Sequence, residues 1–129
     1  MSATKVLVVD DDAESRELLS EVLGSNGYTV ASVGDGAAAR EALDRDDGYA
    51  IVIADLRMPN GTGLDLLQYL RERKSKQEII LMSSFMSGAE RKMALDLGAR
   101  ALLEKPFRLS QLLQVVGDLA AKSALGVAP

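Results

Sequence analysis

The sequence contains no cysteine and no histidine. Those absences exclude disulfides, thiolate nucleophiles, thiolate or imidazole metal sites, and any triad built on a histidine base. A metal here must be held by carboxylates and carbonyls, which selects hard cations such as Mg2+ or Ca2+. No apolar run reaches membrane-spanning length and the first residues carry no signal-peptide-like stretch. The expectation is a cytoplasmic domain with no membrane partner. Positive charge is also short: 15 Lys and Arg stand against 19 Asp and Glu, a net charge of −4. That balance argues against direct contact with nucleic acid.

What is present suits one globular domain. The 129 residues are 47% hydrophobic and 26% charged, and folding at this length hides roughly two-thirds of the unfolded chain's surface. Residues 1–122 are expected to form the domain, with 123–129 a tail or the start of a linker.

Short apolar runs alternate with helical patterns. Val6 to Val9 is β-branched and uninterrupted, the mark of a strand covered on both faces. A helix should follow, with Leu18, Leu19, Val22 and Leu23 on one face, Asp11 and Glu14 as its cap pair, and Gly24 and Gly27 as its stop. Tyr28–Val33, Ala50–Ala54, Ile79–Met82 and Ala101–Leu103 read as further strands. Helices are expected from about Ala37 to Arg45, through Leu64, Leu67 and Leu70, from the capping box Ser87/Glu90 to Gly98, and through Leu109, Leu112, Leu113, Val116 and Leu119. The charged run from Arg71 to Lys76 reads as a solvated helix end. Five strands alternating with five helices predict an α/β fold: a doubly wound, five-stranded parallel sheet of flavodoxin-like type, strand order 2-1-3-4-5.

In such a sheet ligands sit at the carboxyl ends of the strands, where the strand order reverses. Asp10 and Asp11 end the first strand and Asp55 ends the third. Each close pair of like charges costs about 4 kcal/mol at about 4 Å and an effective dielectric near 20, so the cluster must take up a proton or recruit a cation. Oxygen-only ligation beside an open turn suits Mg2+. Ser83, after the fourth strand, and Lys105, after the fifth, bring a hydroxyl and a fixed positive charge to the same edge. Together they make a site for a tetrahedral anion, and an aspartate can attack phosphorus to form an acyl phosphate. Ser84 is small enough to leave room for an incoming group.

Four stretches, in this order and at these spacings, carry a resemblance: VLVVDDD (Val6 to Asp12), DLRMPNGTGLDLL (Asp55 to Leu67), ILMSS (Ile80 to Ser84) and GARALLEKPF (Gly98 to Phe107). From Lys5 to about Ala121 the chain resembles the receiver domain of two-component response regulators. The resemblance implies that Asp55 accepts a phosphoryl group from a sensor histidine kinase or a histidine phosphotransfer protein. It implies that Asp10, Asp11, Asp55 and the backbone carbonyl of Arg57 ligate Mg2+, and that Ser83 and Lys105 contact the phosphoryl oxygens. Ser84, Phe85 and Pro59 would border the site, and the Lys105–Pro106 bond would be cis. The readout surface would lie on the fourth helix, fifth strand and fifth helix, about Glu90 to Val116. It would serve a downstream protein or output domain that the sequence does not name, or a phosphorylation-dependent homodimer. Such a domain is not an enzyme beyond its own phosphorylation and dephosphorylation.

The chain departs from the family at Leu102, where most receivers carry Tyr or Phe. Ser83 is then expected to draw the loop from Ser83 to Gly88 inward with the aromatic part of the switch missing or altered; the competing reading is that Leu102 simply fills the core. A bulky Phe85 hindering water and Arg57 binding phosphate would together give a long-lived phosphoform; Phe85 packing in the core or against a partner is the competing reading. Two other functions stay open beside the phosphoacceptor: a receiver used only for protein contacts, and a small Mg2+-dependent aspartate phosphatase.

Overall fold

The structure is a computed structural model that describes residues 3–58 and 62–124. Five strands, β1 (Lys5–Val9), β2 (Thr29–Val33), β3 (Ile51–Asp55), β4 (Glu78–Ser83) and β5 (Ala101–Glu104), alternate with five helices. The helices are α1 (Ala13–Ser25), α2 (Gly36–Arg45), α3 (Gly63–Glu72), α4 (Gly88–Asp96) and α5 (Leu109–Ala124). All pairings are parallel and the order is β2-β1-β3-β4-β5, as the alternation predicts.

The central strands are apolar between their ends because they are covered twice. Leu7, Val9, Val52, Ala54, Ile79 and Leu81 face one core with Ala39, Leu43, Leu66, Leu67, Leu70 and Ala94 of α2, α3 and α4. Their neighbours Val6, Val8, Ile51, Ile53, Ile80 and Met82 face the other, with Leu19 and Leu23 of α1 and Leu112, Val116 and Leu119 of α5. This is the period-2 alternation of strands, and each fully buried side chain of this size is worth about 1.5–3 kcal/mol. α4 is the exception: of its described residues Ala94 alone is buried, while Met93 and Leu95 are more than half exposed.

Several local expectations are corrected. Asp12, not Asp11, caps α1: its carboxylate accepts from the Glu14 N–H at 3.2 Å and the Ser15 hydroxyl at 3.0 Å. Leu18 is half exposed, because α1 turns its Leu19/Leu23 pair to the sheet. Gly24 lies within α1, which ends beyond it at Ser25.

The Arg71–Lys76 run is not simply solvated. Arg71 Nε donates to the Leu97 carbonyl at 2.7 Å, clamping the end of α4 to α3, and Arg73 pairs with Asp44. α4 does start on the Ser87/Glu90 capping box, and the Lys105–Pro106 bond is cis. α5 continues to Ala124, two residues into the stretch 123–129 expected as a tail or linker; residues 125–129 lie outside the described residues.

Candidate functional site

Strand register builds the site. Val9 pairs with Ala54, which sets Asp10 level with Asp55 across adjacent central strands. Because Asp12 takes over the capping of α1, Asp11 is free to join them. The carboxylate oxygens of Asp10, Asp11 and Asp55 lie within 4.8 Å of one another. Lys105 reaches over from the end of β5, its Nζ donating to Asp55 Oδ2 at 2.8 Å and lying 3.6 Å from Asp10 Oδ2. β4, the strand between, ends in Ser83, whose carbonyl accepts from the Lys105 N–H at 2.8 Å and fixes that approach. Under the cluster, Gly63 packs so close that a Cβ there would stand 2.8 Å from the Asp55 carbonyl oxygen.

Burial sets the electrostatics. Asp10 is fully buried and Asp55 nearly so. Burial pushes the Asp10 carboxyl above its ordinary pKa, and the charges of Asp55 and Asp11 add to this. The Asp12 N–H and Lys105 oppose it. For Lys105, burial works against the charge, but its bond to Asp55 and the carboxylate field outweigh this and raise its pKa. Among the described residues Asp10 Oδ2 has no hydrogen-bond partner. A buried carboxylate oxygen with no hydrogen bond is costly even with an ammonium 3.6 Å away, and three carboxylates against one ammonium leave an excess of negative charge. The all-oxygen donor set therefore fits a hard divalent cation such as Mg2+.

The remaining expected residues are placed less uniformly. Ser83 is buried, but its hydroxyl is engaged within its own loop, donating to the Phe85 carbonyl at 2.7 Å and accepting from the Phe85 N–H at 3.2 Å. The Phe85 side chain is 63% exposed, out of the core, and Met86 is the buried member of the pair. Ser84 is exposed, and Leu102 is half-buried against the α2–α3–α4 core. Arg57 donates its N–H to Asp55 Oδ1 at 3.1 Å, while its guanidinium turns to Glu90 at 2.9 Å. Pro59 lies outside the described residues.

Two residues absent from the sequence reading as site members touch this region. Arg16 Nη1 donates to the Asp10 carbonyl at 2.7 Å, tying α1 to the turn that carries the acidic pair. Glu90 reads from the sequence as a capping residue and the edge of the readout surface. The Ser87 N–H and Arg57 hold its carboxyl below the ordinary range.

Comparison with known proteins agrees with this fold. The family model described as the response regulator receiver domain matches residues 6–117. Response regulator MprA of Mycobacterium ulcerans is 37% identical over 123 residues, covering 95% of this chain and 53% of its own length. Response regulator protein PilR of Pseudomonas aeruginosa is 35% identical over 116 residues, covering 90% of this chain and 26% of its own. The chain therefore spans about half the length of the first of these relatives and about a quarter of the second. Among solved structures, a response regulator receiver protein from Pseudomonas putida superposes with a TM-score of 0.87 at 33% identity, over 92% of this chain and 98% of that one. The chemotaxis protein CheY4 of Vibrio cholerae gives 0.84 at 27%, over 92% and 99%.

Proposed function

The chain belongs to the response regulator receiver domain family, and from that premise we propose that Asp55 is a phosphoacceptor served by a phosphohistidine donor. The observation that carries the reading is the cluster itself. Asp10, Asp11 and Asp55 share one sheet edge, and Lys105 donates to Asp55.

In the proposed reaction a carboxylate oxygen of Asp55 attacks phosphorus in line. The new O–P bond forms as the N–P bond to the donor imidazole breaks, and the departing nitrogen keeps the electron pair and takes a proton. The product is an acyl phosphate on Asp55. Lys105, held charged by its carboxylate neighbours, stays beside Asp55 to offset the charge gathering on the phosphoryl oxygens. Asp10, Asp11, Asp55 and the Arg57 carbonyl would hold Mg2+. When bound, the ion supplies charge neutralisation and alignment for the phosphoryl group. Ser83 would give its proton to a phosphoryl oxygen, which requires it to leave the Phe85 carbonyl. That exchange would move the Ser83–Gly88 loop and the α4/β5/α5 surface, shifting the population toward an output-competent form.

The partners in this reading are a sensor histidine kinase or histidine phosphotransfer protein on one side. On the other is a downstream protein, an output domain or a second phosphorylated copy. The setting is the cytoplasm, and no reaction beyond the domain's own phosphorylation and dephosphorylation is proposed.

The test is intact mass after incubation with acetyl phosphate and Mg2+, run beside Asp55→Asn. One added phosphoryl group is expected in the parent only, and only with Mg2+. A folded parent that gains no mass from either acetyl phosphate or a phosphohistidine donor would overturn the phosphoacceptor assignment.

A further inference from the structure

A continuous line of polar contacts runs from Asp55 to the start of α4. Asp55 Oδ1 accepts the Arg57 N–H at 3.1 Å. The Arg57 guanidinium then leaves the acidic cluster, and one nitrogen, Nη2, serves both Glu90 Oε1 at 2.9 Å and the Phe85 carbonyl at 3.4 Å. That carbonyl also takes the Ser83 hydroxyl proton at 2.7 Å. Glu90 Oε1 in turn accepts the Ser87 N–H at 2.9 Å, closing the capping box of α4. One carbonyl thus carries two donors, and one carboxylate oxygen joins the turn after β3 to the first turn of a helix 33 positions away.

These contacts bear on the proposed chemistry because a hydroxyl has a single proton. Ser83 cannot donate to the Phe85 carbonyl and to a phosphoryl oxygen together. Whatever favours the loop arrangement with Ser83 turned onto Phe85 opposes the other. The Arg57–Glu90 pair is made in that arrangement and ties the turn after β3 to the beginning of α4, just beyond the loop that moves. Within α4 packing offers little resistance to the motion, since Ala94 alone is buried among its described residues; in the loop itself Met86 is the buried side chain that must adjust. A contact present in one of two arrangements shifts the equilibrium by its differential strength.

We propose that Glu90 is a positioning residue for the phosphoryl site: it holds the Arg57 guanidinium at the Phe85 carbonyl and so favours the arrangement in which the Ser83 hydroxyl faces away from Asp55. The proposal rests on Asp55 being the phosphoacceptor. It also accounts for Arg57 differently from the sequence reading, in which the guanidinium binds phosphate. Here the guanidinium restrains the loop, and releasing it makes phosphoryl uptake easier.

The two roles for Arg57 predict opposite signs, which makes the test direct. Beryllofluoride with Mg2+ serves as the phosphoryl probe, and its affinity is measured by calorimetry for the parent, Glu90→Gln, Arg57→Met and the double variant. Gln at position 90 keeps an oxygen for the Ser87 N–H, so the cap survives while the charge pairing is lost. Both single variants are expected to bind about two- to fivefold more tightly than the parent, the range of a half-exposed ion pair. The double variant should bind no more tightly than either single one. Amide exchange over residues 87–91, measured without beryllofluoride, should quicken in both single variants.

Weaker binding by Arg57→Met than by the parent would show the guanidinium touching the phosphoryl probe and overturn the proposal. So would unchanged affinity or exchange in both variants, the pattern of a merely structural contact. A folded parent that binds no beryllofluoride at all would instead overturn the phosphoacceptor reading, and this proposal with it.

Discussion

Asp10→Asn is expected to stabilise the protein in the absence of divalent cation and to abolish its response to Mg2+. Asp10 faces two carboxylates within 4.8 Å, each a repulsion of about 3.5 kcal/mol at an effective dielectric near 20. Against these stands one ammonium at 3.6 Å, an attraction of about 4.6 kcal/mol on the same scale. Asp11 is solvent-exposed, so its share is screened, and the net relief on removing the Asp10 charge is about 1–2 kcal/mol. Asn keeps an oxygen for the Asp12 N–H that Asp10 accepts at 3.0 Å, so no hydrogen bond need be lost.

The pH dependence follows from the raised pKa of Asp10. Below its unfolded pKa the group is protonated in both states and the parent carries no penalty. As pH rises through the higher folded value, the parent loses stability that the variant keeps. Thermal unfolding in EDTA should therefore give similar midpoints at the acid end, and a variant midpoint about 3–8 °C higher at pH 7. Adding Mg2+ should raise the parent by about 2.7 kcal/mol at a hundredfold excess over Kd, leave the variant unmoved, and so reverse their order. A variant less stable than the parent in EDTA at pH 7 would refute the electrostatic account.

Two further outcomes follow from backbone positions. Gly63→Ala would place a Cβ 2.8 Å from both the Asp55 carbonyl oxygen and Leu81 Cδ2. It should cost about 1–3 kcal/mol by overpacking and slow phosphoryl uptake by displacing Asp55; an unchanged urea midpoint would contradict the close approach. Lys74 holds a left-handed φ of 56° just beyond the end of α3, so Lys74→Gly should raise stability by about 0.5–1 kcal/mol, read as a higher urea midpoint at constant slope.

The acidic site was legible in the sequence because it depends on backbone alternation. Once the βα order is read, Asp10, Asp11, Asp55, Ser83 and Lys105 fall at strand ends on one edge, and their mutual approach follows from parallel register. The side-chain pairings were not legible, because they are decided across loops by packing. Arg57 was singled out for its carbonyl and for phosphate binding; the pairing of its guanidinium with Glu90 in this structure is a contact that nothing in the spacing from 57 to 90 signals. Ser83 is where the pattern places it, but the choice of its own loop carbonyl as acceptor depends on backbone dihedrals after β4. Arg71 looked like one charge in a solvated run. It satisfies the carbonyls of Leu97 and Gly98 at the end of α4, an assignment that only tertiary structure makes.

The light burial of α4 has a consequence for how such a chain can diverge. Asp55 closes a strand whose every residue is buried, so almost any change beneath it disturbs the fold. α4 contributes one buried alanine among its described residues, and arginines brace its two ends from outside. Its outer face, with Met93 and Leu95 standing in solvent, can therefore be rewritten residue by residue at little cost to the rest of the molecule. Selection for a new recognition surface and selection for a stable core then act on separate sets of positions, so one can change quickly while the other stays still.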